Sequence, residues 1–140
     1  MNNKKKVYTF LNSVNHAVVG TVNKNGNPQG ATVGFGQTEE LEIIFGTSSL
    51  TQKADNISQN NHIALVINSP TKSVQYEGTV RFLEGKDLVK YTKIFFRKMP
   101  SMEKYFEIEN QIYYVVKPYW IRFIDHTNSP NGVIEVRFKV

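Results

Sequence analysis

The sequence predicts a mostly β chain, an antiparallel β-barrel with peripheral helices, and three observations carry that reading. About seven strand-like runs follow one another closely, separated by clusters of Gly, Pro, Asn and Ser. Helical patterns are inserted among them and do not alternate with every strand, as a doubly wound parallel sheet would require. Closing such a sheet into a barrel also removes exposed strand edges.

Val7, Phe10, Leu11 and Val14 recur at helical spacing, so residues 3–13 form a short amphipathic helix with Lys4, Lys5 and Lys6 on its solvated side. Residues 17–22 are short and β-branched, Asn25, Gly26 and Asn27 signal a turn, and residues 30–36 return as the second arm of a hairpin. Glu39 and Glu40 turn the chain into a third strand, residues 41–46. Residues 51–60 read as a helix, opened by a capping box from Ser49 to Gln52 or by Thr51 and ended at Asn60-Asn61. Residues 62–68 are a continuous apolar run, the pattern of a strand buried on both faces, closed by Ser69-Pro70. Residues 73–84 alternate, with Val74, Tyr76, Gly78 and Val80 on one side. Residues 86–98 have helical spacing and stop at Pro100, with a further turn over 101–106. Residues 112–116, 119–124 and 133–140 close the chain as strands, divided by Pro118 and by a turn over 128–132.

At 140 residues and 16.0 kDa the chain is sized for a single domain, residues 1–140. Its 17 Lys and Arg against 12 Asp and Glu give +5, a balance that favours anionic partners. Lys117, Trp120 and Arg122 interleave only faintly, short of an RNA-binding sheet face, so no nucleic acid is expected. No apolar run approaches a bilayer span and residues 1–6 are polar and basic, so no membrane partner is expected and the reading is cytoplasmic. The absence of cysteine fits that compartment and excludes thiolate chemistry. His16, His62 and His126 lack ligand-like spacing, so no metal site is expected. Asp125-His126 has no nucleophile placed by sequence alone, and no residue stands out as catalytic acid, base or nucleophile.

The stretch FGTSSLTQKADNIS, residues 45–58, is the most informative. A strand, a hydroxyl-rich loop and a helix start aim backbone N–H groups, Ser/Thr hydroxyls and a helix dipole at one point. Lys53 adds a full charge there, a combination that suits a phosphate. The same hydroxyls also serve as helix caps. A lysine in the first turn opposes the helix dipole, and an anion relieves that conflict. Gly34 and Gly36 weaken their strand, a cost offset by a bend, a bulge or the close approach of something flat. Trp120, with Tyr113, Tyr114 and Tyr119, offers either core or a stacking surface.

Taken together, HAVVGTVNKNGNPQGATVGFG, LEIIFGTSSLTQKADNISQNNHIALVI and SVQYEGTVRFLEG resemble the pyridoxamine 5'-phosphate oxidase-like family of FMN-binding split barrels. The likeness runs from His16 to Gly85 and continues as a looser pattern to KPYWIRFIDHT. It implies a homodimer holding FMN in grooves between subunits. Ala31, Thr32, Val33 and Gly34 would border the flavin ring, Thr47, Ser48 and Lys53 would hold the phosphate, and Gln75, or Ser73 on the same face, would reach the flavin. Trp120 and Arg137 would come from the partner subunit. The true vitamin B6 oxidase has Arg-Lys where this chain has Gln52-Lys53, and its closing Arg-Leu-x-Pro pattern is absent here. The resemblance therefore implies an FMN-dependent oxidoreductase of general-stress or flavin-reductase type, using NAD(P)H or a small redox substrate. The alternative is a non-catalytic carrier or sensor of flavin or haem.

Overall fold

In chain order the elements are α1 (Asn3–Asn12), β1 (His16–Val22), β2 (Pro28–Gly34), β3 (Gly36–Gln37), β4 (Ile43–Ser48), α2 (Gln52–Gln59), β5 (His62–Asn68), β6 (Lys72–Phe82), α3 (Gly85–Lys98), a 3₁₀ helix (Pro100–Tyr105), β7 (Gln111–Asp125), a 3₁₀ turn (His126–Asn128) and β8 (Val133–Arg137). The computed structural model describes residues 2–128 and 132–139, so most of the expected 128–132 turn and the last residue of the expected closing strand lie outside the described residues. The strands form one antiparallel sheet in the order β2-β1-β5-β6-β7-β4-β3, with β8 added to β7. The sheet curls until β2 approaches β4, which makes it a split barrel.

The hairpin is set by its turn chemistry. Asn23 Oδ1 accepts from the N–H groups of Asn25 and Asn27, and Gly26 supplies the left-handed φ of 82°. The second arm ends earlier than expected, because Phe35 is wholly buried and gives its N–H to the Asn15 carbonyl. At that residue the chain leaves β1 and, as β3, joins β4. The third strand starts later than expected, at Ile43, because Leu41 sits at φ 68° and its backbone turns.

Three further expectations are corrected. Residues 62–68 do form a strand, but its burial alternates: Ile63, Leu65 and Ile67 face the core while Ala64 and Val66 are exposed. Pro118 does not divide the last long strand, since β7 runs from Gln111 to Asp125. The register shifts between Glu77 and Gly78, which leaves Tyr119 as the extra residue of a bulge and sets Pro118 opposite Gly78. Glycine is needed there because a Cβ would collide with the Lys117 carbonyl, and the bulge accommodates a residue with no N–H to donate. The closing strand ends at Arg137.

Inward-facing residues of β1, β4, β5, β6 and β7 join Phe10 and Leu11 of α1 in the main core. A second cluster lies on the other side of the sheet, where Tyr91 and Phe95 of α3 cover Ile44, Tyr113 and Val115. Gly36 makes that approach possible, since a Cβ there would stand 2.8 Å from the Phe95 Cα. The α3 helix is closed by Lys98, whose amine donates to the Leu11 carbonyl at 3.0 Å and to Gln37 Oε1 at 2.6 Å, 3.6 Å from the centre of the Phe35 ring.

Burial pushes the Lys98 amine down from 10.5 to about 7. Between those pH values the unfolded chain binds a proton that the folded chain has released, so stability rises with pH across the window. Urea unfolding is expected to show a larger gain from pH 7 to pH 9 in the native chain than in Lys98→Met. Equal gains in the two proteins would refute the buried amine.

Candidate functional site

The strand-to-helix junction is built around one hydroxyl. Thr47 is nearly buried at the end of β4, and its Oγ1 accepts from Lys53 Nζ at 2.9 Å. Thr51 lies 3.2 Å from the same oxygen. Thr51 gives its own hydrogen to the Ser48 carbonyl at 2.9 Å, so Thr47 donates to Thr51. A directed chain of hydrogen bonds results, Lys53 to Thr47 to Thr51 to the backbone, and it leaves two lysine N–H groups unused.

The cap is Thr51 and not a box from Ser49 to Gln52. Thr51 has extended backbone (φ −81°, ψ 157°) and accepts from the Ala54 N–H at 3.2 Å. The Gln52 amide instead reaches forward to Asn56 Oδ1 at 2.9 Å. Lys53 is partly buried, which lowers its pKa, and among the described residues no carboxylate lies within ion-pair distance. The amine thus rests half-desolvated on neutral oxygen at a helix start.

Asn56 places this helix. It is wholly buried, and its amide group donates to Thr21 Oγ1 of β1 at 2.9 Å and to Gln29 Oε1 of β2 at 2.7 Å. Neither Asn56 nor its two acceptors was singled out from the sequence. The i, i+4 pairing of Gln52 with Asn56 on a helix was the available signal.

Strand alternation sorts the remaining candidates onto two faces. Val33 and Thr47 face the core, and Ala31 shares the inward side of β2 with Val33. The Ser48 hydroxyl accepts from the Leu50 N–H at 3.2 Å in the loop that leads to α2, while Thr47 and Lys53 of the expected phosphate trio touch directly. Thr32, Gln75, Trp120 and Arg137 lie on the outer face. Thr32 pairs with Val18, Val18 with Val66, Val66 with Gln75, and Gln75 with Arg122, while Trp120 pairs with Arg137. Ser73 lies on that face too, opposite Ile124. Three strand spacings separate Thr32 from Gln75, about 14 Å.

The same register separates the two groups within one chain. Thr47 is opposite Ile112 and Gln75 opposite Arg122, about 30 Å apart along β7 at about 3.3 Å per residue. Gly34 is a site of close approach, one of the reasons its sequence allowed. Its Cβ direction is filled by the Met99 Cε at 3.2 Å and the Met102 Cε at 3.5 Å, so the glycines of this strand make room for α3 and the turn after it. Val89 of α3 is exposed.

Asp125 and His126 do not assemble a nucleophile. The Asp125 carboxylate accepts from the hydroxyl and N–H of Thr127, which hold it below the usual carboxylate range, and His126 lies 3.5 Å from Ser73 Oγ on exposed surface. Among the described residues no three His, Asp or Glu side chains come together as metal ligands, and no helix is long and apolar enough to cross a membrane.

Residues 4–125 match the family described as pyridoxamine 5'-phosphate oxidase. No curated protein matches the chain by sequence. In fold the chain is similar to a heme binding protein from Mycobacterium smegmatis, with a TM-score of 0.83, 14% identity, and coverage of 98% of this chain and 58% of that one. It is also similar to Campylobacter jejuni ChuZ, with a TM-score of 0.79, 17% identity, and coverage of 96% and 58%. General Stress Protein 26 from Bacillus anthracis matches end to end, with a TM-score of 0.76, 19% identity, and coverage of 99% and 100%. The chain therefore spans about three fifths of the first two and the whole of the third.

Thr51→Ala is expected to cost about 1 kcal/mol of stability in urea unfolding, and Ser49→Ala almost nothing. Equal losses at the two positions would restore Ser49 as a cap.

Proposed function

The chain belongs to the pyridoxamine 5'-phosphate oxidase family, and from that membership we propose that it is an FMN-binding flavoprotein of general-stress or flavin-reductase type, acting in the cytoplasm. The observation that carries the reading is the Lys53 amine on Thr47, half-buried at a helix start with no carboxylate of the described residues within ion-pair distance. Its donor set fits a phosphate: the two lysine N–H groups that Thr47 does not take and the first N–H groups of α2, with the amine held in place by the Thr47–Thr51 hydroxyl chain. Ala31 and Val33 on the inward side of β2 border the split that faces β4. Bound flavin supplies hydride or electron transfer with NAD(P)H or a small redox substrate. The protein anchors the phosphate at Lys53 and orients the ring along β2.

Two copies are needed to complete the site. Gln75, Trp120 and Arg137 stand too far along β7 from Thr47 for a single FMN to bridge both groups on one chain. The outer face that carries them is apolar at its centre, with Val18 45% and Val66 42% exposed beside Gly20 and Ala64. A second copy packed on this face covers those valines and brings its own Gln75, Trp120 and Arg137 to the flavin.

The end-to-end likeness to General Stress Protein 26 supports the general-stress assignment. The likeness to a heme binding protein supports a second reading, a haem carrier. Absorbance of the loaded protein separates flavin from haem, and anaerobic reduction by NADH or NADPH separates an enzyme from a carrier. Protein that keeps no FMN after desalting from an excess refutes the flavin reading.

Lys53→Ala is expected to weaken FMN binding by about 1.5 to 3 kcal/mol in a fluorescence titration, through loss of a charged hydrogen bond. Unchanged affinity would remove the phosphate role. Val66→Lys places a charge at the centre of the outer face and is expected to give monomers in sedimentation. A dimer that persists would place the interface elsewhere.

A further inference from the structure

A second half-buried amine, Lys98, lies where the C-terminal turns of α1 and α3 meet. A cavity of about 360 Å³ opens there, lined by Tyr8, Asn12, Asn15, Gln37, Arg97 and Lys98 with Ile94. The lining offers a phenol, three amides and two cations, and no carboxylate. Lys98 donates to Leu11 O and Gln37 Oε1, both neutral oxygens, and lies over the Phe35 ring, so among the described residues its charge has no carboxylate partner. The Gln37 amide is itself oriented by Asn12, accepting at Oδ1 from Gln37 Nε2 at 2.9 Å. That bond turns the Asn12 NH₂ group into an available donor.

We propose that this cavity is a second oxyanion seat, in which Lys98 and Arg97 bind the carboxylate or phosphate of a small anionic metabolite, separate from the Lys53 site. An oxyanion in the cavity complements the half-desolvated Lys98 charge and accepts from the Arg97 guanidinium and the Asn12 amide that line it. Gln37 and the α1 carbonyl hold the amine in place whether or not an anion is present, so the seat is preorganised. The seat weakens as the amine loses its proton. Arg97 is the other charged group lining the cavity, and Tyr8 the other titratable one.

The test uses the full chain carrying Lys53→Ala, which silences the first seat, titrated calorimetrically with inorganic phosphate and with acetate at pH 6 and pH 9. One saturable site at pH 6 is expected, weaker at pH 9, about tenfold weaker with Arg97→Gln and absent with Lys98→Met. Tighter phosphate binding assigns a phosphorylated ligand to the seat, and tighter acetate binding a carboxylate. No saturable binding, or binding indifferent to both substitutions, overturns the proposal. If Lys98→Met fails to fold, the side-chain amide NMR signals of Asn12 and Asn15 decide. Shifts that saturate with phosphate and weaken with Arg97→Gln support the seat, and static signals overturn it.

Discussion

The architecture turns on the amide of Asn56, a polar group with no access to water. Its NH₂ group bridges β1 and β2 through Thr21 and Gln29, and its oxygen accepts from Gln52 one turn earlier on α2. A buried amide with its bonds made contributes modestly, whereas one left unmade costs about 1 to 3 kcal/mol, so the arrangement is selective for one placement of the helix. That placement fixes where the first turn of α2 opens, and with it Thr51, Lys53 and the hydroxyl of Thr47. The apolar face of α2 adds little positional information, since among its residues only Ala54 and Ile57 are buried hydrophobics.

Strand periodicity then divides the labour of the sheet. Successive residues point to opposite faces, so neighbours in a strand present their side chains to different sides of the sheet. Residues distant in sequence can share one face, as Thr32, Gln75 and Trp120 do. The outer face itself is split. Its β3, β4 and early β7 portion is sealed by α3, while its β1 and β5 portion leaves Val18 and Val66 exposed. Met99 and Met102 mark the boundary, resting on Gly34 two residues from Thr32. The helical insert therefore defines where a second copy or a ligand can approach the sheet.

The sequence was most legible where the signal is local. The α1 helix, the Asn-Gly-Asn turn, the α2 helix and the alternation of β6 all follow from neighbouring residues, and the structure places them within a few positions. It was least legible where one residue answers to a distant one. Pro118 reads as a strand breaker until Gly78 and the extra Tyr119 are set opposite it. HIALVIN reads as doubly buried because nothing local tells an apolar face waiting for a partner from one already covered. Gly34 and Gly36 were recognisable as sites of close approach, yet that the approaching body is α3, sixty residues on, lies beyond any local pattern. For the site, the lysine and threonine of the α2 junction were readable as neighbours, and the structure brings them to 2.9 Å. The separation of Gln75 from Thr47 required the register.

Charge placement gives the last step. The three ion pairs among the described residues, Lys4 with Glu40, Arg81 with Asp87 and Arg137 with Glu135, are all solvent-exposed and contribute little. The two amines that burial depresses, Lys53 and Lys98, rest on a hydroxyl, a carbonyl and an amide oxygen. A carboxylate at either place would have relieved the desolvation more fully, and it would also have competed with any incoming anion. Neutral oxygens orient the amine without neutralising it, so the positive charge stays available to a ligand. In a chain of net charge +5, an anionic partner at either site gains from the charge-assisted hydrogen bonds it makes and from complementing a charge that burial has already stripped of water.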